Sequence, residues 1–136
     1  MSATDFVYDN ARQLFATAQI NWTAAPINAM LVSNFYAPQL THVNVADIDP
    51  SAIIVRDLAL TNLTAVKGIC AGIIPEILGV VTPYTVVAVI LYVKGANDGV
   101  SPLIYYSSTG PGFPFQVQGF DYSVGFDQVS GGFFQV

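Results

Sequence analysis

The spacing of hydrophobic residues at the start of the chain predicts one helix followed by one strand. Over residues 5–18, apolar side chains recur every three or four positions, which places them on one face of an α-helix. Pro26 excludes helix beyond this segment, and the apolar run at residues 28–32 predicts a strand. We expect the helix to cover an otherwise all-β domain and to pack on it through Leu14, Phe15, Ile20 and Trp22.

After this first strand, short apolar segments alternate with turn residues, a pattern typical of β-strands. Residues 85–93 are apolar at nearly every position, which predicts a central strand that is buried on both faces. The turn at residues 94–99 and the apolar segment 103–107 then predict a hairpin. Residues 120–126 alternate apolar and polar side chains, as an amphipathic strand does. The predicted fold is mainly β, a sandwich or flattened barrel of about seven to nine strands with one N-terminal amphipathic helix, in a single domain that spans residues 1–136.

The segment 68–93 carries a single charge, Glu76, and its length is compatible with a membrane-spanning helix. Pro75 and Pro83 interrupt it, and each would cost a helix about 3 kcal/mol. Neither end carries the cluster of Lys and Arg that anchors a membrane span. We therefore expect buried strands here, including residues 69–74 and 77–81, and no contact with a membrane.

Charge is scarce in this chain. Of its 136 residues, 53% are hydrophobic and only 10% are charged, against roughly a quarter in an average globular protein. A monomer could cover its surface with Ser, Thr, Asn, Gln and Gly. The alternative, which the low charge favours, is that much of the surface is buried against other subunits. With a net charge of −5 and four basic residues that do not cluster, nucleic acid is not an expected partner.

The residues that carry catalysis or bind metals are few and do not form a known motif. His42 is the only histidine and could join Asp47 or Asp49 in a hydrolase triad, but no nucleophile motif accompanies it. Asp47 and Asp49 resemble part of a calcium loop without its remaining ligands, and turn residues are the simpler interpretation. Cys70 is the single cysteine and is expected to be a small buried residue. We predict no enzyme activity, no cofactor and no metal.

Aromatic residues are abundant, with seven Tyr, nine Phe and one Trp. Exposed tyrosines could form a sugar-binding platform, whereas core and interface packing is the commoner use of Tyr and Phe. The residues considered for the platform are Tyr84, Tyr92, Tyr105, Tyr106 and Tyr122. The aromatic residues expected at an interface with a protein partner are Tyr105, Tyr106, Phe133 and Phe134.

The opening block of the chain combines Tyr8-x-Asn-Ala-Arg-Gln-x-Phe-Ala16 with Ile20-Asn-Trp22 and the segment 27–32. This block resembles the opening of a family of small tailed-bacteriophage virion proteins. Further matches follow in the same order, so that the resemblance covers nearly the whole chain, although residues 65–78 depart from the pattern. These matches are the turn at 42–48, Arg56, Leu60-Thr61, the segment 86–94, Ser101-Pro-Leu-Ile104, Thr109-Gly-Pro-Gly-Phe-Pro114 and the strand from Phe120.

The resemblance implies a structural role without a catalytic motif. The family resemblance implies a capsid decoration or cement protein that binds the major capsid protein on the outer surface of the virion and acts as a homotrimer. Such a protein is made in the host cytoplasm, and the first residues lack the features of a signal peptide. Two alternatives stay open, namely a component of the tail or neck and a carbohydrate-binding module for host adhesion.

Overall fold

The computed structural model describes residues 5–66, 69–74, 81–108, 115–118 and 134–135. The protein is mainly β, with a sandwich-like arrangement of sheets and one helix near the N-terminus, so the predicted fold class is confirmed. Ten strands are described, of which the first and last have only three and two residues. The strands are β1 Asp5–Val7, β2 Ile27–Val32, β3 Ile53–Ala59, β4 Thr61–Val66, β5 Ile69–Ile73, β6 Val81–Val86, β7 Ala88–Val93, β8 Leu103–Ser107, β9 Phe115–Gln118 and β10 Phe134–Gln135.

The largest sheet has five antiparallel strands in the order β1-β8-β7-β2-β3. Two of its three inner strands, β2 and β7, pair from Ile27 opposite Val93 to Val32 opposite Ala88. Every residue of β2 is buried, as are the first five residues of β7. The prediction of a central buried strand at 85–93 is therefore confirmed for residues 88–93, as is the hairpin with β8, whereas residues 85–86 end β6 in another sheet.

The remaining strands form two smaller sheets. One has the order β10-β5-β4, and the other pairs β6 with β9. Two long segments link these sheets to the large one, because β3 continues into β4 at Leu60 and β6 continues into β7 at Val87. At each crossing the backbone N–H donates to one end of β2, from Leu60 to the Ile27 oxygen and from Val87 to the Val32 oxygen, both at 2.9 Å. Strand β2 is therefore hydrogen-bonded at both points where the chain passes from one sheet to another.

The helix α1, Asp9–Ala16, is shorter than the predicted segment 5–18. Residues 5–7 are extended and pair with β8, and the backbone of Tyr8 remains extended, with φ −62° and ψ 145°. The Tyr8 N–H donates to the Ile104 oxygen at 3.0 Å, which continues the strand pairing up to the first turn of the helix. The prediction was wrong at this end because β-sheet pairing outweighs the helical spacing that begins at Val7.

The side chains predicted to pack the helix lie at or against the core. Ile20 and Trp22 are buried, whereas Leu14 and Phe15 are partly buried against the core. Ala11 is the fully buried residue of the helix. The predicted segment 77–80 and the amphipathic strand 120–126 lie outside the described residues.

Candidate interaction surface

The most prominent exposed feature is the segment 33–44, here called the apolar loop, which connects β2 to a short 3₁₀ helix at Val45–Asp47. Five large hydrophobic side chains are exposed among the described residues, and three of them lie on this loop: Phe35 at 55%, Leu40 at 41% and Val43 at 37%. A fourth, Val100, is 55% exposed. The fifth is Ile73 on β5, in a different sheet.

Val100 is close to the apolar loop because the backbone beyond the loop pairs with residues 101–103. The Val45 N–H donates to the Ser101 oxygen, and the Leu103 N–H donates to the Val43 oxygen, both at 2.9 Å. Val100 ends a second 3₁₀ helix, Asp98–Val100, directly before this pairing. Val43 and Val100 thus lie at the same end of the large sheet, beside the start of β8, whereas Phe35 follows Val32 at the opposite end of β2.

A chain of hydrogen bonds connects the apolar loop to the residue that precedes helix α1. The Tyr8 and Tyr36 hydroxyl oxygens are 2.9 Å apart, and the Tyr36 hydroxyl is 2.8 Å from Nδ1 of His42. Tyr8 is fully buried and Tyr36 is 7% exposed, so burial raises the pKa of Tyr36 to about 12 and raises the pKa of Tyr8 as well. Both hydroxyls therefore stay neutral and can act as hydrogen-bond donors across the ordinary pH range.

Aromatic rings surround this hydrogen-bond chain. Tyr106 lies 6.1 Å from the Tyr36 ring and is stacked on Phe6 at 5.2 Å, measured between centroids. The Phe6 ring meets the Tyr8 ring edge-on at 4.9 Å. Because this aromatic cluster joins β1, β8 and the loop, the loop is packed on the large sheet.

The two aspartates that follow the loop act as turn residues, as predicted. Oδ2 of Asp47 accepts from the N–H groups of Val43 and Asn44 at 2.8 and 3.2 Å, and these bonds lower its pKa. Oδ1 of Asp49 accepts from the Ser51 N–H at 2.9 Å, which lowers its pKa in the same way. Both carboxylates are thus engaged with the backbone, and Nδ1 of His42 is engaged with Tyr36.

Two of the aromatic residues predicted at an interface are buried within the chain itself. Tyr105 is 5% exposed and Tyr106 is 6% exposed, since both lie in β8 between β1 and β7. The prediction for these two residues was wrong because both faces of β8 are covered, so that neighbouring side chains, which point to opposite faces, are both buried. Phe133 lies outside the described residues, and Phe134 is described only as the backbone partner of Cys70.

Phe35, Leu40, Val43 and Val100 were not among the residues predicted from the sequence. A signal was present, because residues 34–43 place three large apolar side chains in a segment that Pro38 prevents from forming regular structure. Whether such side chains point inward or outward depends on tertiary contacts, which the pattern alone does not give.

An ionic cluster lies beside the turn between β7 and β8. Arg56 makes a two-pronged contact with Asp98, with distances of 2.7 and 3.1 Å, and Lys94 lies 3.2 Å from Oδ1 of Asp57. The Tyr92 hydroxyl donates to Oδ1 of Asp57 at 2.6 Å and accepts from the Asp57 N–H at 3.0 Å. The backbone of Asp57 has φ 62°, a left-handed conformation that Asp tolerates better than most residues. The cluster fixes β3 to the turn between β7 and β8.

We expect Tyr92→Phe to lower the free energy of unfolding by about 1 kcal/mol at pH 7, since it removes a hydrogen bond to a charged acceptor that is partly exposed. The hydrogen bond from Tyr92 lowers the pKa of Asp57, so its stabilising effect is present above pH ~4 and is lost as the pH falls through the lowered value. Urea unfolding at pH 7 and at pH 3 measures the difference between wild type and variant. A difference that grows in acid would contradict this assignment.

A cavity of about 400 Å³ lies between the end of helix α1 and the three-stranded sheet β10-β5-β4. The indole N–H of Trp22 donates to the Ala71 oxygen at 2.9 Å, which ties the segment between α1 and β2 to β5. Burial raises the pKa of the Cys70 thiol to about 11, as expected for a buried, unreactive cysteine. The lining residues are Phe15, Ala18, Ile20, Asn21, Trp22, Ala65 and Cys70.

Metal-site geometry, membrane spans and matches to known proteins each give a negative finding. In the part of the chain that the structure describes, no three or more His, Cys, Asp or Glu side chains come together as a metal site would require. The described helices include none with the length and apolar character needed to cross a membrane. No family model, no curated protein and no solved structure matches this chain.

Proposed function

We propose that this chain is a structural virion protein, a decoration or cement subunit that binds the outer surface of a tailed-bacteriophage capsid and stabilises the shell. The observation that carries the proposal is the apolar loop. Its side chains Phe35, Leu40 and Val43 are exposed although the loop itself is held by buried hydrogen bonds. Exposed apolar groups on a rigid support favour a protein partner, because little conformational entropy is lost on binding.

Composition supports the same proposal. A chain with only four basic and nine acidic residues among 136 has little charge with which to cover its surface. Burial of part of that surface against the major capsid protein, and against two further copies in a trimer, would relieve this exposure. Since a cement protein binds the assembled shell and not its dissociated subunits, binding stabilises the shell by mass action.

The resemblance of the opening block to small phage virion proteins supports the choice of partner. Within that block, Tyr8 reaches Tyr36 of the apolar loop, and Trp22 joins the helix segment to β5. One of the residues that carry the resemblance, Tyr8, therefore also supports the loop. A sugar-binding platform has less support, because three of the tyrosines considered for it, Tyr92, Tyr105 and Tyr106, are buried.

The test is binding to phage capsids that lack this chain, followed by sedimentation of the shells. We expect the double variant Phe35→Ser/Leu40→Ser to bind at least ~10-fold more weakly than wild type, because buried aromatic and aliphatic anchors dominate interface energies. Ile73→Ser is the matched control, since Ile73 is 43% exposed and Leu40 is 41% exposed, but on different parts of the fold. The control is expected to bind within about twofold of wild type.

Equal binding by the double variant and by wild type would contradict the proposed surface. Imaging of native particles separates the shell from the alternative position in the tail or neck. Many copies at three-fold positions of the shell support a cement protein, whereas a few copies in a ring at one vertex would overturn it. Sedimentation of the free protein as a strict monomer that also fails to bind capsids would count against the whole proposal.

A further inference from the structure

The hydrogen-bond chain beneath the apolar loop has a direction that depends on His42. When Nδ1 of His42 carries no proton, it accepts from the Tyr36 hydroxyl at 2.8 Å, and the Tyr36 oxygen accepts from the Tyr8 hydroxyl at 2.9 Å. Each hydroxyl hydrogen then has an acceptor. Only neutral His42 with its proton on Nε2 permits this arrangement.

A proton on Nδ1 reverses the chain. Nδ1–H then donates to the Tyr36 oxygen, and the Tyr36 hydroxyl donates to the Tyr8 oxygen. The hydrogen of Tyr8 is left without an acceptor among the described residues, at a side chain that is fully buried. A buried donor without a partner is costly, and the protein avoids that cost if the loop moves away and lets water reach the hydroxyls.

We propose that protonation of His42 loosens the apolar loop, so that the exposed apolar side chains are held in place only while His42 is neutral. The hydrogen-bond geometry makes this a property of the isolated protein. Its consequence, weaker attachment to the shell in mild acid, rests on the proposed function.

Both charged and neutral groups lie around His42. Asp47, from the 3₁₀ helix, attracts a charged His42 and so acts in the opposite direction. Its carboxylate is exposed to solvent and already accepts two backbone hydrogen bonds, so this attraction is screened. From the sheet side, Tyr8 and Tyr106 contribute neutral hydroxyls, as does Tyr36 from the loop. The unpaired buried hydrogen therefore dominates.

Hydrogen exchange of the free protein at pH 7.5 and pH 5.5 tests the inference, because His42 is the only histidine of the chain. The reporters are three backbone N–H groups whose bonds hold the loop, those of Asp9, Tyr36 and His42. We expect their protection factors, corrected for intrinsic exchange, to fall about 10-fold at pH 5.5. The N–H groups of Leu60 and Val87, bonded to the ends of β2, serve as internal controls and keep their protection.

Two variants separate this mechanism from a general effect of acid. In His42→Asn the side-chain oxygen can replace Nδ1 as an acceptor at both pH values, so the fall in loop protection should be less than about twofold. Tyr36→Phe breaks the chain at both pH values, so protection should be lower throughout and no longer pH-dependent. Asp47→Asn keeps an oxygen for the backbone bonds and removes the charge, and it should show at least the wild-type fall.

Unchanged wild-type loop protection at pH 5.5 would overturn the inference, as would a 10-fold fall that persists in both His42→Asn and Tyr36→Phe. Because these measurements use the free protein, they are independent of capsid binding. Failure to bind capsids at any pH would remove the proposed function and leave the exchange result standing. Capsid binding that weakens at pH 5.5 for wild type but not for His42→Asn would support both.

Discussion

Trp22→Ala is expected to lower the free energy of unfolding by about 3–5 kcal/mol, the range for truncation of a large buried aromatic side chain. Trp22 is only 3% exposed, and its indole N–H binds the Ala71 oxygen at 2.9 Å. The variant loses both the buried ring and the link between the helix segment and β5. Since a domain of this size has about 5–15 kcal/mol of stability in total, a large fraction of the variant is expected to be unfolded at moderate temperature.

Trp22→Phe is the matched control, because it keeps a six-membered aromatic ring and removes the indole hydrogen bond together with the five-membered ring. We expect it to cost about 1–2 kcal/mol, which includes the unpaired Ala71 oxygen. Urea unfolding followed by circular dichroism measures both variants. A loss below about 0.5 kcal/mol for Trp22→Ala would show that the segment between α1 and β2 does not pack on the three-stranded sheet.

Gly95→Ala is expected to cost about 3 kcal/mol, at the upper end of the range for an overpacked site. A methyl group at Gly95 would overlap the carbonyl oxygen of Val100 and lie 2.9 Å from its carbonyl carbon. Backbone atoms cannot rotate away as a side chain can. The turn between β7 and β8 would have to open, which would also displace Asp98 from Arg56.

Gly99→Ala provides the comparison within the same turn. A methyl group there would meet only Oδ1 of Asn97 at 3.2 Å, the end of a side chain that can move by a few tenths of an ångström. We expect this variant to stay within about 0.5 kcal/mol of wild type. Thermal unfolding of the two variants at equal concentration measures the contrast, and equal losses would contradict the packing described for Gly95.

Much of the large sheet could be predicted because its inner strands are apolar on both faces, which gives a clear sequence pattern. In β7 nearly every residue is apolar, as expected for a strand buried on both faces, and the turn after Lys94 marks where the hairpin begins. The predicted start of the helix was wrong because the positions of Phe6 and Val7 are compatible with both a helical face and a strand. Only the pairing with Tyr105 and Tyr106, about a hundred residues away, decides between them.

The candidate surface and the ionic cluster could not be predicted for a related reason. Tyr92 reaches Asp57 only because β7 and β3 lie on either side of β2, and a linear pattern does not give strand order. In the same way, the link between Tyr8 and Tyr36 depends on how the apolar loop folds back over the N-terminal strand. Local propensity describes each segment, whereas these contacts depend on which segments become neighbours.

The position of β1 at the edge of the large sheet has a consequence for synthesis on the ribosome. Asp5 pairs with Ser107, so the N-terminal strand has no partner until β8 has been translated and has left the exit tunnel. At ~5–20 residues per second, the first residues wait roughly 5–20 s before they can dock. During this interval the nascent helix has no sheet to cover, and a chaperone that captures emerging apolar segments would meet it first.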